Sequence, residues 1–138
     1  GPRAPETNGI QKIIQRAVSD GRLEYAGSPE SMREYIHVAD AAKSTVKILA
    51  PEFIGKNVVL TGVEPIKVKD LLRMVGEILN LDSSDILFRA EVGDGHYIST
   101  PYSYNPRLGI KYLPETHIDL GQGLIEVINL VYQQNDFS

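Results

Sequence analysis

In the segment S-M-R-E-Y-I-H-V-A-D-A-A, residues 31–42, Arg33, Tyr35 and His37 stand at every second position. Alternate residues of an extended strand share a face, so these three would lie together, with Met32, Ile36 and Val38 on the other side. An arginine presents a planar fork of donors that suits phosphate, and a neighbouring tyrosine adds a hydroxyl for a ribose or phosphate oxygen. The chemistry this pattern offers is anion binding. The plainer alternative is an edge strand whose polar face meets water.

Little else in the chain could build a catalytic centre. His37, His96 and His117 have no histidine one helical turn away and no carboxylate at zinc-site spacing, and there is no cysteine, so no metal site is expected. No serine sits in a G-x-S-x-G elbow. The stretch V-G-D-G-H-Y has two glycines but lacks the G-x-G-x-x-G spacing of a dinucleotide-binding turn, and no Walker loop occurs. A net charge of −4 and a pI near 5.3 argue against a general nucleic-acid binder, although one or two local arginines can still hold a small anion.

These residues need a scaffold. A chain of 138 residues, 42% hydrophobic and 23% charged, can bury the core of one domain. No apolar run approaches the ~18 residues of a membrane span, and without cysteine or a signal peptide the cytoplasm is the default expectation. The opening G-P-R-A-P-E-T-N-G has an extended, linker-like character, as of a chain that begins in the middle of something.

Ile10, Ile13, Ile14, Ala17 and Val18 recur at helical spacing, which predicts a helix over 9–20 with Asn8 as its cap and Gly21 as its stop. R-L-E-Y-A is a strand, G-S-P-E-S a turn, and 32–38 the next strand. Asp40 would cap a helix through A-A-K-S-T-V-K-I-L-A, burying Ala42, Val46 and Leu49 and leaving Lys43 and Lys47 in water. K-N-V-V-L-T-G has the pattern of a strand covered on both faces. In K-D-L-L-R-M-V-G-E-I-L-N-L, Leu71, Leu72, Val75, Ile78 and Leu79 line one side of a helix, with Asp70, Arg73, Glu77 and Asn80 on the other. D-I-L-F-R-A is a strand, followed by a loop with a short strand at 96–99. Asp119 can cap a final helix from Leu120, after which Q-N-D-F-S should fray. The alternation of helices and strands is that of an α/β domain.

At this point the residues carry a resemblance. G-R-L-E-Y-A-G-S-P-E-S-M-R-E-Y-I-H-V-A-D-A-A-K-S-T-V-K-I-L resembles the R-D-(Y/F)-(I/V)-H-V-x-D-(V/L)-A region of extended short-chain dehydrogenase/reductases. These are the NAD-dependent epimerases and dehydratases of nucleotide sugars related to UDP-galactose 4-epimerase. G-P-R is similar to the end of the family's Y-G-P-R, E-V-G-D-G-H-Y-I-S to its R-P-G-D, and N-P-R-L-G-I-K-Y-L-P-E-T-H-I-D-L-G-Q-G-L-I-E-V-I to its L-G-W-x-P segment. The likeness spans essentially the whole chain, and only the C-terminal part of such an enzyme.

The resemblance implies a small mixed α/β substrate-binding domain over 1–138, with the Rossmann half absent and residues 38–62 packing on that missing cofactor domain. It implies that Arg33 meets the diphosphate of a UDP-, dTDP- or GDP-sugar, with Tyr35 beside the nucleotide. The backbone at Leu23 and Tyr25 would pair with the base, and Asp94 would be a further contact. The arginine two places before the glycine of R-P-G-D is Glu91 here, and Arg89 is the candidate substitute. The family's His at position 37 is not catalytic, and a packed, hydrogen-bonded histidine is expected. The catalytic Tyr-x-x-x-Lys and the glycine-rich NAD or NADP turn lie upstream in the family, so this chain alone should neither catalyse nor hold the cofactor. Its partners would be the nucleotide sugar and its own cofactor domain, with a homodimer also open. The competing function is a stand-alone, non-catalytic module that binds a nucleotide sugar or a partner.

Overall fold

The computed structural model describes residues 8–89 and 109–136. Three amphipathic helices build its core. The first, α1, runs Gly9–Asp20; Asn8 Oδ1 accepts the Gln11 N–H at 3.2 Å and Gly21 closes it at φ 66°, a left-handed conformation that glycine adopts without strain. Further along the chain, α3 spans Val68–Leu79 and α4 spans Leu120–Asp136. Asp119 Oδ1 accepts the Gly121 N–H at 2.8 Å and so caps α4 as expected. The helix continues through Asp136, where fraying was expected from Gln134.

Ile14 and Ala17 of α1, Leu71, Leu72 and Val75 of α3, and Leu124, Ile128 and Val131 of α4 close on one another with almost no exposure. Each such aliphatic side chain contributes about 1.5–3 kcal/mol by leaving water. Leu23, in strand β1 (Leu23–Ala26), is the strand's anchor in the same core.

The described strands form three two-stranded sheets. β1 pairs in parallel with β5 (Ile86–Arg89), setting Tyr25 opposite Phe88 and Ala26 opposite Arg89. β2 (Met32–Glu34) pairs antiparallel with β4 (Pro65–Lys67), and β3 (Val58–Val59) pairs in parallel with β6 (Ile110–Lys111). The mixed α/β class is as expected. β4 and β6 were not anticipated, because two or three residues are too few to show alternation.

Four local expectations are corrected. The strand predicted over 32–38 stops at Glu34. Its partner there is Pro65, which has no N–H to extend the ladder. The following helix, α2, spans Val38–Lys47, and its cap is His37, whose Nδ1 accepts the Ala39 N–H at 3.2 Å. Asp40 therefore lies inside the first turn and turns inward, 4% exposed, where its Oδ2 accepts the Ile118 N–H at 2.7 Å from the chain leading into α4.

That inward turn reverses the helix. α2 buries Asp40 and Ser44, while Ala42 is exposed and Val38, Val46 and Leu49 show 52%, 68% and 78% of their surface. The stripe predicted as buried faces outward in this chain, and Ile54, 77% exposed, continues the apolar surface beyond the 3-10 turn Pro51–Phe53. The strand predicted over 56–62 is only Val58–Val59, half-buried and paired along one edge. The strand at 96–99 falls outside the described residues.

Candidate functional site

Leu23 and Tyr25 project from one face of β1. Leu23 goes into the core; Tyr25, nearer the strand's end, packs edge-on against Phe88 with ring centroids 6.4 Å apart. From the neighbouring sheet, Arg33 Nη2 donates to Tyr25 Oη at 3.4 Å and Nη1 donates to the carbonyl of Met32 at 2.7 Å. The guanidinium is thus held between the tyrosine hydroxyl and a carbonyl of its own strand.

Tyr35 completes the group. Burial pushes its hydroxyl up to about 12; the Arg33 charge pulls the other way and Tyr25 adds to the rise. It therefore stays protonated across the physiological range, as a hydroxyl that donates or accepts. Its backbone is crossed by Gly62 so closely that a Cβ there would stand 2.3 Å from the Tyr35 carbonyl oxygen. The crossing requires glycine.

Three of the sequence-predicted residues, Tyr25, Arg33 and Tyr35, are therefore together, and Leu23 shares its strand with Tyr25. Arg89 is elsewhere. Its register partner is Ala26, one residue out of phase with the Tyr25–Phe88 contact, and its Nη2 donates to Glu24 Oε1 at 2.7 Å on the opposite face of the β1–β5 pair. Asp94 and Glu91 lie outside the described residues.

His37 is engaged instead by α2 and α4. Because the Ala39 N–H can only donate, Nδ1 accepts, and Nε2 carries the proton toward Glu126 Oε2 at 3.0 Å in α4. Hydrogen bonds from Gln122 and His37 hold the Glu126 carboxyl below the usual carboxylate range. This is the packed, hydrogen-bonded histidine that the sequence suggested. His37 and Glu126 line a cleft of about 240 Å³ together with Tyr35, Ile36, Leu124 and Val127.

Sequence reasoning missed what lies behind Arg33. Glu34, the next residue, faces the other way and its side chain is only 4% exposed. Its Oε2 accepts from Thr61 Oγ1 at 2.9 Å and from Lys111 Nζ at 3.3 Å, and Lys111 also donates to the Val63 carbonyl at 2.9 Å. The one signal was the acidic residue after the arginine in R-E-Y, at the position of the family's R-D-Y.

No family model and no curated protein sequence matches the chain. Solved structures do. The UDP-glucuronic acid 4-epimerase of Bacillus cereus, in complex with UDP-4-deoxy-4-fluoro-glucuronic acid and NAD, superposes with a TM-score of 0.75 at 22% identity over 97% of this chain. The chain shares its fold with part of this epimerase. The dTDP-glucose 4,6-dehydratase of Bacillus anthracis, in complex with NAD, gives 0.69 at 19% identity over 99% of the chain. A GDP-L-fucose synthetase of Naegleria fowleri bound to NADP gives 0.63 at 14% over 94%. The chain spans 42%, 42% and 39% of these three proteins' lengths respectively.

Proposed function

We propose that this chain is the nucleotide-sugar-binding part of an NAD- or NADP-dependent nucleotide-sugar epimerase or dehydratase. The observation that carries the reading is the grouping of Arg33, Tyr25 and Tyr35 at one edge of a fold shared with enzymes of that class. Arg33 supplies the cationic fork for the diphosphate and Tyr35 a protonated hydroxyl beside it. The backbone of β1 at Leu23 and Tyr25 receives the base, and Asp94 is proposed as a further contact. Arg89 is the candidate for a second phosphate contact. To reach the first it must leave Glu24, an exposed pair worth little to stability.

None of these groups is assigned proton or hydride chemistry. β4 runs directly into α3 through Lys67, with no glycine-rich turn between them to cradle a dinucleotide. The cofactor, when bound, supplies hydride transfer and is assigned to a cofactor domain outside these residues. This chain binds the nucleotide and orients the sugar, and such positioning can supply much of a rate enhancement.

The same reading gives the outward stripe of α2 an occupant. Because the chain spans about two fifths of the length of its structural relatives, Val38, Ala42, Val46, Leu49 and Ile54 are assigned to contact with that cofactor domain. An uncovered row of aliphatic side chains opposite the buried Asp40 and Ser44 is what a detached domain contact should look like.

Calorimetric titration with UDP, dTDP and GDP tests the site. Arg33→Ala should weaken the best-bound nucleotide by about 2 kcal/mol, roughly thirtyfold, the worth of a charge-assisted phosphate contact. Unchanged affinity would remove Arg33 from the site, and no binding by the unmodified chain would refute the nucleotide reading.

A further inference from the structure

We propose that the pair of the buried Glu34 carboxylate with the partly exposed Lys111 is a register lock that keeps Arg33 facing the nucleotide side; the proposal rests on the reading of Arg33 as a diphosphate ligand. β2 has three residues and ends against Pro65, so its own ladder specifies pairing weakly. Side chains alternate along it, and a slip of one residue would bring Glu34 to the ligand side and bury Arg33. That error would replace the guanidinium by a carboxylate and repel phosphate.

The contacts behind β2 oppose that slip. The Glu34 carboxylate, 4% exposed, is held by Thr61 and by Lys111, which reaches from β6 and also binds the Val63 carbonyl. These contacts bracket Gly62, where the chain crosses the backbone of Tyr35. One cluster therefore joins β2, the 61–63 segment and β6, and constrains the residues on either side of the anion site. A well-packed apolar pair in place of a buried ion pair is often as stable or more so, which makes specificity the more informative use of these charges. An arginine forced inward by a slip would meet Lys111, a like charge. The pair thus disfavours the wrong register as well as favouring the right one.

Lys111 and Glu34 touch no ligand in this scheme; they are positioning residues. The test is a titration of the chain with the tightest binder among UDP, dTDP and GDP, in two backgrounds, unmodified and Arg33→Ala. Lys111→Met should weaken binding about tenfold in the unmodified background and have no further effect once Arg33 is gone, because the pair acts through that side chain. Lys111→Met strands a buried carboxylate, so the double substitution Glu34→Gln/Lys111→Met, which removes both charges, keeps the test valid if the single variant does not fold. Far-UV circular dichroism establishes folding in each case.

Equal weakening in both backgrounds would make the pair a general fold element and overturn the register lock. No weakening by a folded variant would overturn it as well. Failure of the unmodified chain to bind any of the three nucleotides would instead strike the reading of Arg33 itself, and the positioning role would fall with it.

Discussion

The outward apolar stripe of α2 makes the sharpest prediction about the behaviour of these 138 residues made alone. Val46, Leu49 and Ile54 are 68%, 78% and 77% exposed, so most of the gain from their burial is unrealised. With nothing to cover it, the face should drive self-association at the concentrations used for structural work. Leu49→Lys probes it cleanly, because residue 49 lies beyond the end of α2 and is 78% exposed, so the fold loses almost nothing. Burying one leucine is worth about 2 kcal/mol; in a two-fold dimer the loss counts twice, about 4 kcal/mol or roughly a thousandfold in the dimer dissociation constant. Sedimentation velocity over a concentration series reads this directly. The unmodified chain should show a mass rising with concentration, and Leu49→Lys should remain monomeric over the same range. A monodisperse, thermally robust monomer throughout, or association indifferent to Leu49→Lys, would refute the assignment of this face as a contact surface.

Three further outcomes follow from the structure. Asp40→Ala should cost about 1–3 kcal/mol in urea unfolding by leaving the half-buried Ile118 N–H without its acceptor, while Asp40→Asn, which keeps a carbonyl oxygen there, should recover part of the loss. Leu72→Ala, at a side chain with no exposure between α1, α3 and α4, should cost about 3 kcal/mol by the same assay. Lys67 and Lys69 hold Glu30 down from 4.5 to about 2; a depressed carboxyl stabilises above its unfolded value and loses that contribution as pH falls through its folded one. Glu30→Gln should therefore flatten the stability profile between pH 4.5 and 2, with little change near neutrality.

α1, α3 and α4 were legible in the chain because their apolar residues repeat at the helical period over three turns or more, and because Asn8, Gly21 and Asp119 supply cap chemistry that needs no distant partner. Arg33 and Tyr35 were legible as a pair for a similar local reason, their spacing along an extended segment. The same spacing misled at His37, which has the right residue count but lies beyond Pro65, where the ladder ends and the next helix begins.

Distant contacts settled the rest. Ala42, Val46 and Leu49 have the spacing of a buried stripe, and spacing says which residues share a face but not which way that face turns. The Ile118 N–H, far along the chain, decides that by drawing Asp40 inward. In the same way Tyr25 and Arg33 meet across two separate sheets, and Glu34 finds Thr61 and Lys111 from segments far apart in sequence. The sequence by itself determined local periodicity, caps and the chemical character of the candidate ligands. Only the tertiary structure decided which faces are covered and which side chains converge, because burial and hydrogen-bond satisfaction depend on partners that local spacing cannot name.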